Sequence, residues 1–160
     1  MTQKLNFIRP FLLMVLMLPV IPATAREWDE QLYKQIEQSI KSPEISGKDY
    51  NITKYGAKAS ANAAKNQKAI QKAIDECTKN GGGRVIIPAG QTFKTGAIRL
   101  KSHVNLHVEQ DAVLLFVFQP ELYPIVETSW EGLLCFNLSP CVYAFEATDL
   151  AITGKGVIDG

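Results

Sequence analysis

Apolar positions follow two different periods along the chain, and the change comes at Gly81-Gly82-Gly83. Before these glycines the apolar residues recur at helical spacing, which is typical of helices packed on one face. After them, short apolar runs alternate with turn residues, and the runs are Val85–Ile87, Ala97–Leu100, Val104–Val108, Val113–Phe116, Val142–Phe145, Leu150–Ile152 and Val157–Ile158. Runs this short and frequent predict an all-β region, either a sandwich or a solenoid.

The first helical segment covers residues 26–41. Four apolar side chains form one stripe along it, namely Trp28, Leu32, Ile36 and Ile40. Its polar face carries both signs of charge, so we expect the stripe to dock on a neighbouring part of the protein and not on a membrane surface. Pro43 ends the helix.

The second helical segment covers residues 66–80 and has the clearer apolar face, which comprises Ala69, Ile70, Ala73, Ile74 and Cys77. Asn66 is the expected N-cap, and Gly81 is suited to a left-handed C-cap. Residues 58–65 are small and polar, and we expect them to form a surface loop.

An internal similarity favours the solenoid. The stretch "VNLHVEQDAVLL" (Val104–Leu115) resembles "LAITGKGVID" (Leu150–Asp159) in its order of apolar runs and polar corner. Leu106 matches Ile152, 46 residues later, which equals two turns of about 23 residues, a length typical of solenoid repeats. The solenoid therefore predicts that Leu106 and Ile152 stack in one ladder.

The first residues have the layout of an export signal. Lys4 and Arg9 precede the apolar run Phe11–Ile21, and small residues follow at Ala23-Thr24-Ala25. The run is too short for a membrane-spanning helix, so we predict a signal peptide over 1–25. An N-terminal helix and linker over 26–48 and a domain over 49–160 follow. The protein is then secreted or periplasmic, with no membrane span after signal cleavage.

Charge and glycine placement exclude several classes of function. The chain has 17 basic and 16 acidic residues without a basic face, which argues against a nucleic-acid partner. A phosphate loop needs its glycines before a helix, whereas Gly81–Gly83 follow one and Gly154-Lys155-Gly156 lies between strand-like runs. We interpret the second stretch as a corner between strands.

Few side chains offer chemistry, and we interpret most of them as structural. His103 and His107 would share one face of a strand, but only Glu109 could join them as a metal ligand. The carboxylates Asp111, Asp149 and Asp159 sit near strand ends, where aspartate commonly bonds its own backbone.

Three aromatic side chains could stack on sugar rings, namely Tyr123, Trp130 and Tyr143, although such residues more often fill a core or corner. Among the cysteines, Cys77 is expected to be a buried free thiol, and a Cys135–Cys141 disulfide stays open because spacing alone does not establish geometry. We assign no catalytic, metal-binding or cofactor-binding residue and expect no cofactor.

Several motifs, in order, resemble those of a known family. They are "YNITKYGAKASANAAKNQKAIQKAIDEC", "NGGGRVIIPAGQTFKTGAIRLKSHVNLHVEQDAVLLF", "PELYPIVETSWEG", "NLSPCVYAF" and "DLAITGKGVIDG", and they span Tyr50–Gly160. This part of the chain resembles the beginning of polygalacturonases, which are pectin-degrading glycoside hydrolases. The resemblance implies a right-handed parallel β-helix of the pectin-lyase-like type, with the helix of residues 66–80 as its N-terminal cap.

The resemblance also implies a function and locates its chemistry elsewhere. Polygalacturonases hydrolyse α-1,4-linked galacturonan with inversion, using Asn-Thr-Asp, Asp-Asp, Gly-His-Gly and Arg-Ile-Lys motifs, and the printed sequence contains none of the four. The expected function is therefore the N-terminal portion of an exported enzyme whose substrate is pectic polysaccharide, inactive by itself. Gln67, where the family usually has threonine, and other departures are compatible with a fragment or a decaying gene copy.

Two alternatives remain beside the enzyme portion. One is a non-catalytic β-helix module that binds carbohydrate or a protein partner, and its oligomeric state is left open. The other is a polysaccharide lyase, against which the Trp-Glu-Gly and Ile-Asp-Gly motifs argue.

Overall fold

The computed structural model describes residues 29–160. Contacts divide the chain into two units, residues 1–41 and residues 42–160. The predicted signal peptide and Trp28 lie outside the described residues, and the predicted boundaries after residues 25 and 48 stay predictions. Between residues 29 and 160, neither α-helix combines the length and the apolar content that crossing a membrane requires.

The first unit contributes one described helix, α1 (Glu30–Ser39), which is shorter than the predicted span of residues 26–41. Asp29 caps it, because its carboxylate accepts hydrogen bonds from the backbone N–H groups of Gln31 and Leu32 at 3.1 and 3.0 Å. No residue of α1 is buried, and the stripe residues Leu32 and Ile36 are each 52% exposed. Docking of this stripe stays a prediction.

The second unit consists of eleven described strands, one long helix and two short 3₁₀ turns. The strands are β1 (Lys48–Asn51), β2 (Gly83–Ile87), β3 (Thr92–Thr95), β4 (Ile98–Arg99), β5 (Val104–Val108), β6 (Val113–Phe116), β7 (Ile125–Trp130), β8 (Leu133–Leu138), β9 (Val142–Tyr143), β10 (Ala151–Gly154) and β11 (Val157–Asp159). The helix is α2 (Ala63–Lys79), and the 3₁₀ turns are Ile52–Tyr55 and Pro120–Leu122.

Three parallel sheets wind around one core, as the solenoid prediction requires. Sheet A has the order β1-β2-β5-β10, sheet B the order β3-β6-β11, and sheet C pairs β4 with β9. The coils β2-β3-β4 and β5-β6-β9 each contribute one strand to each sheet in turn, so the architecture is a parallel β-helix. The predicted fold class is confirmed.

The inward ladder contains the two residues that the repeat matched. Ile152 pairs directly with Leu106, and Leu106 pairs with Val85, 21 residues earlier. The prediction of two turns of about 23 residues between Leu106 and Ile152 is wrong, because one coil spans all 46. That coil is lengthened by an antiparallel hairpin of β7 and β8 that leaves the helical path.

The corners of successive coils stack in left-handed backbone conformations. Gly82, His103 and Asp149 have φ values of 106°, 64° and 54°. Gly83 donates its N–H to the His103 carbonyl at 3.0 Å, and His103 donates to the Thr148 carbonyl at 2.9 Å. These bonds satisfy backbone groups that the interrupted strands leave free.

The Gly154-Lys155-Gly156 stretch is a corner, as predicted, and it rests on the preceding coil. Gly154 has φ +110°, and a Cβ there would overlap the carbonyl oxygen of Val108. Gly156 donates its N–H to the same Val108 carbonyl at 3.1 Å. Backbone approach of this kind requires glycine.

Helix α2 starts earlier than predicted and has a different cap. Asn62, not Asn66, is the N-cap, and its side-chain oxygen accepts the Lys65 N–H at 3.0 Å. The predicted loop of residues 58–65 therefore includes the first helical turn. The predicted C-terminal end is confirmed, because Gly81 has φ +89° and Gly82 donates to the Cys77 carbonyl at 2.9 Å, as in a Schellman motif.

Asn66 has a structural role that its position in the sequence concealed. Its side chain is fully buried, where it accepts the Lys58 N–H at 2.9 Å and donates to the Lys94 carbonyl of β3 at 3.0 Å. On the same helix, Thr78 donates its hydroxyl to the Ser102 carbonyl at 3.1 Å. Side chains of α2 thus bond backbone groups at the edge of the first coil, while Ile70 and Ile74 close its core.

We expect Gly154→Ala to destabilise the fold more than Gly56→Ala. Both glycines have strongly positive φ, +110° and +102°, but a Cβ added at Gly56 would meet no heavy atom within 4 Å. Gly56→Ala should therefore cost only the backbone strain, roughly 1–2 kcal/mol, and Gly154→Ala should add the overlap with Val108. Urea unfolding followed by circular dichroism measures both, and equal losses would contradict the packed corner.

Asn66→Ala should lower the free energy of unfolding by about 2–3 kcal/mol, because it removes two part-buried hydrogen bonds and empties the space of a fully buried side chain. Thr78→Val removes one partly buried bond and is the control, with an expected loss of about 1 kcal/mol. Both losses come from the same urea titrations. A loss at Asn66 no larger than that at Thr78 would show that the buried amide is dispensable.

Candidate functional site

The outward side of sheet C carries a cation beside an aromatic ring. In β4 and β9, Ile98 pairs with Val142 and Arg99 pairs with Tyr143. Ile98 points into the core and is 1% exposed, so Arg99 points outward by strand alternation. The guanidinium carbon of Arg99 lies 5.9 Å from the centroid of the Tyr143 ring, within the range of a cation–π contact.

Two glutamines of α2, one turn apart, fix β4 in place. The Gln71 amide accepts the Arg99 N–H at 2.9 Å and donates to the Arg99 carbonyl at 3.0 Å, so it substitutes for a neighbouring strand. Gln67 donates to the carbonyls of Ala97 at 2.6 Å and Leu122 at 2.7 Å. Gly96 leaves room for this approach, because a Cβ there would overlap the Leu122 side chain.

The hairpin of β7 and β8 forms the opposite wall. Its two-residue turn is Glu131-Gly132, with φ values of 49° and 85°, which is the twist that favours a tight hairpin. The Trp-Glu-Gly motif is thus a turn that ends β7. At the base of the hairpin, Ser139 donates its N–H to the Pro124 carbonyl at 2.8 Å and closes the loop.

Between the glutamines, sheet C and the hairpin base lies a cleft of about 470 Å³. Its lining includes Lys68 and Arg99 but no acidic residue. Ser139 also lines it, and that residue is 5% exposed. Within residues 29–160, the Ser139 hydroxyl has no hydrogen-bond partner. We take this cleft as the candidate functional site.

Comparison with known proteins gives one consistent answer. The chain is 38% identical over 118 residues to the exo-poly-alpha-D-galacturonosidase of Dickeya chrysanthemi. The aligned region covers 69% of this chain and 19% of that protein. Its structure matches a hyperthermoactive exopolygalacturonase from Thermotoga maritima with a TM-score of 0.73 and 36% identity, over 82% of this chain and 29% of the other.

A second solved structure agrees, the family 28 exopolygalacturonase of Yersinia enterocolitica, with a TM-score of 0.62 and 33% identity over 72% of this chain and 21% of the other. The chain is a relative of the polygalacturonases. It spans about a fifth of the length of the curated relatives it matches. No protein-family model matches it.

The two histidines do not share a strand, contrary to the prediction. His103 has a left-handed backbone that turns the chain into β5, and its Nδ1 lies 3.0 Å from a carboxylate oxygen of Asp149. His107 lies in β5 with its Nδ1 2.7 Å from the Thr153 hydroxyl. Both rings contact the following coil, and Glu109 accepts the Ala89 N–H at 2.9 Å.

The predicted aspartates and aromatic residues are spread over the molecule. Asp111 occupies a corner with φ +62°, and Asp159 ends β11. Trp130 is 69% exposed at the tip of the hairpin, and Tyr123 donates its hydroxyl to the Val117 carbonyl at 3.0 Å. Of the aromatic candidates, Tyr143 is the one that lines the cleft.

Two other cations near the coils, Arg84 and Lys101, have acidic partners. Arg84 binds both carboxylate oxygens of Asp49 at 2.8 Å, and this bond holds the pKa of Asp49 below its ordinary value. Lys101 lies 2.7 Å from Asp75. In the described part of the chain, no carboxylate lies within ion-pair distance of Arg99 or Lys68.

The cleft was not predicted because neither the hairpin nor the two α2 glutamines that wall it have a clear sequence signal. The hairpin turn Glu131-Gly132 lacks the Asn-Gly or Asp-Gly signal, and Gln67 and Gln71 resemble ordinary surface positions of a helix. Their spacing of four residues beside a short strand is the signal that could have indicated an edge cap.

The three cysteines are free thiols in the structure, so the Cys135–Cys141 disulfide is not formed there. Cys77 is fully buried on the inner face of α2, as predicted, and burial raises the pKa of its thiol to about 11. Because its ordinary value is 9.0, a raised pKa favours the protonated, folded form, and this contribution to stability falls as pH rises from about 9 towards 11.

We expect two of the three thiols to react with Ellman's reagent at pH 8 in the native protein, and the third only after unfolding in guanidinium. Burial withholds both access and thiolate from Cys77, whereas Cys135 and Cys141 are half-buried. Cys77→Ala should leave the fast count at two and abolish the slow reaction. Three fast thiols would contradict the closed cap.

Proposed function

We propose that this chain supplies the helical cap and first coils of an exported polygalacturonase-type glycoside hydrolase that acts on pectic polysaccharide. The observation that carries the proposal is the TM-score of 0.73 at 36% identity to an exopolygalacturonase over 82% of this chain. The signal-peptide pattern of residues 1–25 supports a secreted or periplasmic location.

The far end of the coils supports a place at the beginning of a longer β-helix. Leu106 and Leu114 are fully buried, whereas their ladder neighbours Ile152 and Ile158 are 52% and 41% exposed. An apolar ladder of this kind fits the next coil of a solenoid, since each repeat buries its face against its neighbours.

The chemistry would then belong to coils that stack beyond this ladder. Inverting hydrolysis of a galacturonan needs one carboxylic acid to protonate the leaving oxygen and one carboxylate to activate water, about 6.5–9.5 Å apart. In polygalacturonases the Asn-Thr-Asp and Asp-Asp motifs provide carboxylates, and the printed sequence has neither. We therefore assign no catalytic residue to this chain.

A non-catalytic, sugar-binding β-helix is the second candidate, and the cleft favours it. A site with basic and aromatic lining can hold an anionic sugar without any acid–base pair. Affinity of the 160-residue chain for polygalacturonate without any turnover would support this second candidate.

The test is a reducing-end assay on polygalacturonate with two proteins: the 160-residue chain, and the product encoded when translation continues in frame past the Gly160 codon. We expect no turnover by the chain and clear turnover by the longer product. Neutral galactan serves as the control substrate. Turnover by the chain alone would refute the placement of the chemistry, and a longer product inactive on polygalacturonate would refute the function.

A further inference from the structure

The β7–β8 hairpin turns its more apolar side to solvent. Register and strand alternation put six side chains on this side, which we call the hairpin face: Ile125, Glu127, Ser129, Leu134, Phe136 and Leu138. The four apolar side chains among them are between 44% and 80% exposed. On the opposite side, Val126 and Cys135 are half-buried. Because an antiparallel sheet with one solvated side usually presents its polar residues there, the hairpin face has the character of a covered surface.

The hairpin also lacks the features that protect exposed strands from other chains. Six consecutive residue pairs form its ladder without a bulge. Residues 125–138 contain no lysine, arginine or proline, which commonly serve as such protection. Among residues 29–160, neither β7 nor β8 pairs with a third strand. A two-stranded hairpin is marginally stable by itself, so burial of the hairpin face would stabilise it.

Two possible occupants of the hairpin face are disfavoured. Successive coils extend sheets A, B and C, as β10 and β11 extend β5 and β6, whereas the hairpin forms a separate sheet. A further coil that continues the three sheets therefore adds no strand to the hairpin. A lipid surface is a poor occupant, because the hairpin carries Glu127 and Glu131 and no cation to bind anionic headgroups.

The hairpin face matches a second copy of itself. Its β8 row is wholly apolar and consists of Leu134, Phe136 and Leu138, whereas the polar Glu127 and Ser129 lie in its β7 row. A two-fold axis can bring the two β8 rows together while each Glu127 stays at the rim, away from its copy. With the stems of the polar side chains, the face offers on the order of 700 Å², close to the roughly 800 Å² that each partner buries in a standard interface.

We propose that the hairpin face is the contact surface of a homodimer, in which two hairpins pack face to face about a two-fold axis, as the sheets of a sandwich do. Leu134, Phe136 and Leu138 form the centre of the contact, and Glu127 lies at its solvated rim. The partner is therefore a second copy of this chain. This inference goes beyond the proposed function, because it concerns association and holds for an enzyme and for a binding module alike.

The experiment is sedimentation velocity of the full 160-residue chain over a range of concentrations. We expect a monomer–dimer equilibrium with a dissociation constant in the micromolar range, because the available area lies at the lower end of stable interfaces. A chain that stays monomeric at about 100 μM would overturn the proposal.

Two neighbouring leucines provide a matched pair of variants, since Leu133 and Leu134 are 74% and 80% exposed on opposite sides of β8. Leu134→Ser should weaken the dimer about tenfold or more, because an apolar side chain leaves the centre of the contact, and Leu133→Ser should leave its dissociation constant unchanged. Both variants keep the apolar ladder that ends at Ile152 and Ile158. Association through that ladder would give the two variants equal dissociation constants, and the proposal would then be wrong. Circular dichroism checks that both are folded.

Hydroxyl-radical footprinting of the unaltered chain gives a measurement that depends on no variant. Raising the concentration through the dissociation constant should protect Leu134 and Phe136 from oxidation and leave Leu133 and Trp130 as reactive as before. Protection of Leu133 and Trp130 instead would place the contact on the other side of the hairpin and refute the assignment. In a product translated past the Gly160 codon, protection of Leu134 and Phe136 that does not change with concentration would show that the longer protein covers the hairpin face itself, and would also refute the dimer.

Discussion

Side-chain amides of α2 take the place of a strand at the open edge of the first coil, and the rest of the molecule depends on this substitution. A parallel sheet leaves one row of N–H and C=O groups unpaired at its first strand. Asn66 bonds one group of this row, the Lys94 carbonyl, and Gln71 bonds both the N–H and the carbonyl of Arg99. Because these backbone groups of the first coil are hydrogen-bonded, the coil has a fixed position on which the following coils stack in register.

Parallel register then stacks equivalent residues of successive coils in the core. Val85, Leu106 and Ile152 stand in one ladder, and Phe93, Leu114 and Ile158 stand in another. The ladders are buried where a coil or the cap lies on both sides and become exposed at the last coil. The two ends of this segment therefore differ in kind, since one is closed by polar side chains and the other presents apolar ones.

The sequence predicted the features that depend on local chemistry and periodicity. The apolar face of α2, the glycine stop at Gly81, the shared ladder of Leu106 and Ile152 and the corner at Gly154 all follow from short patterns. These patterns survive in the structure because burial and left-handed backbone restrict the residue type strongly.

What could not be predicted depends on contacts between distant residues. Asn66 resembled an N-cap because asparagine favours both roles, and only the approach of Lys94, 28 residues away, decides between them. The 46 residues from Leu106 to Ile152 predict two coils, whereas the structure has one, because the β7–β8 hairpin fills the length of a second coil. The period of a solenoid can be inferred from sequence only when such excursions are absent.

The cleft follows from the same constraints that build the core. Strand alternation sends Ile98 inward, so Arg99 must face outward, and parallel register places Tyr143 of the next coil directly beside it. The amides that cap the edge also form one wall, and the hairpin that lengthens the coil forms the other. A row of outward side chains on sheet C, one from each coil, is thus an unavoidable product of stacking. In this chain the row consists of Arg99 and Tyr143.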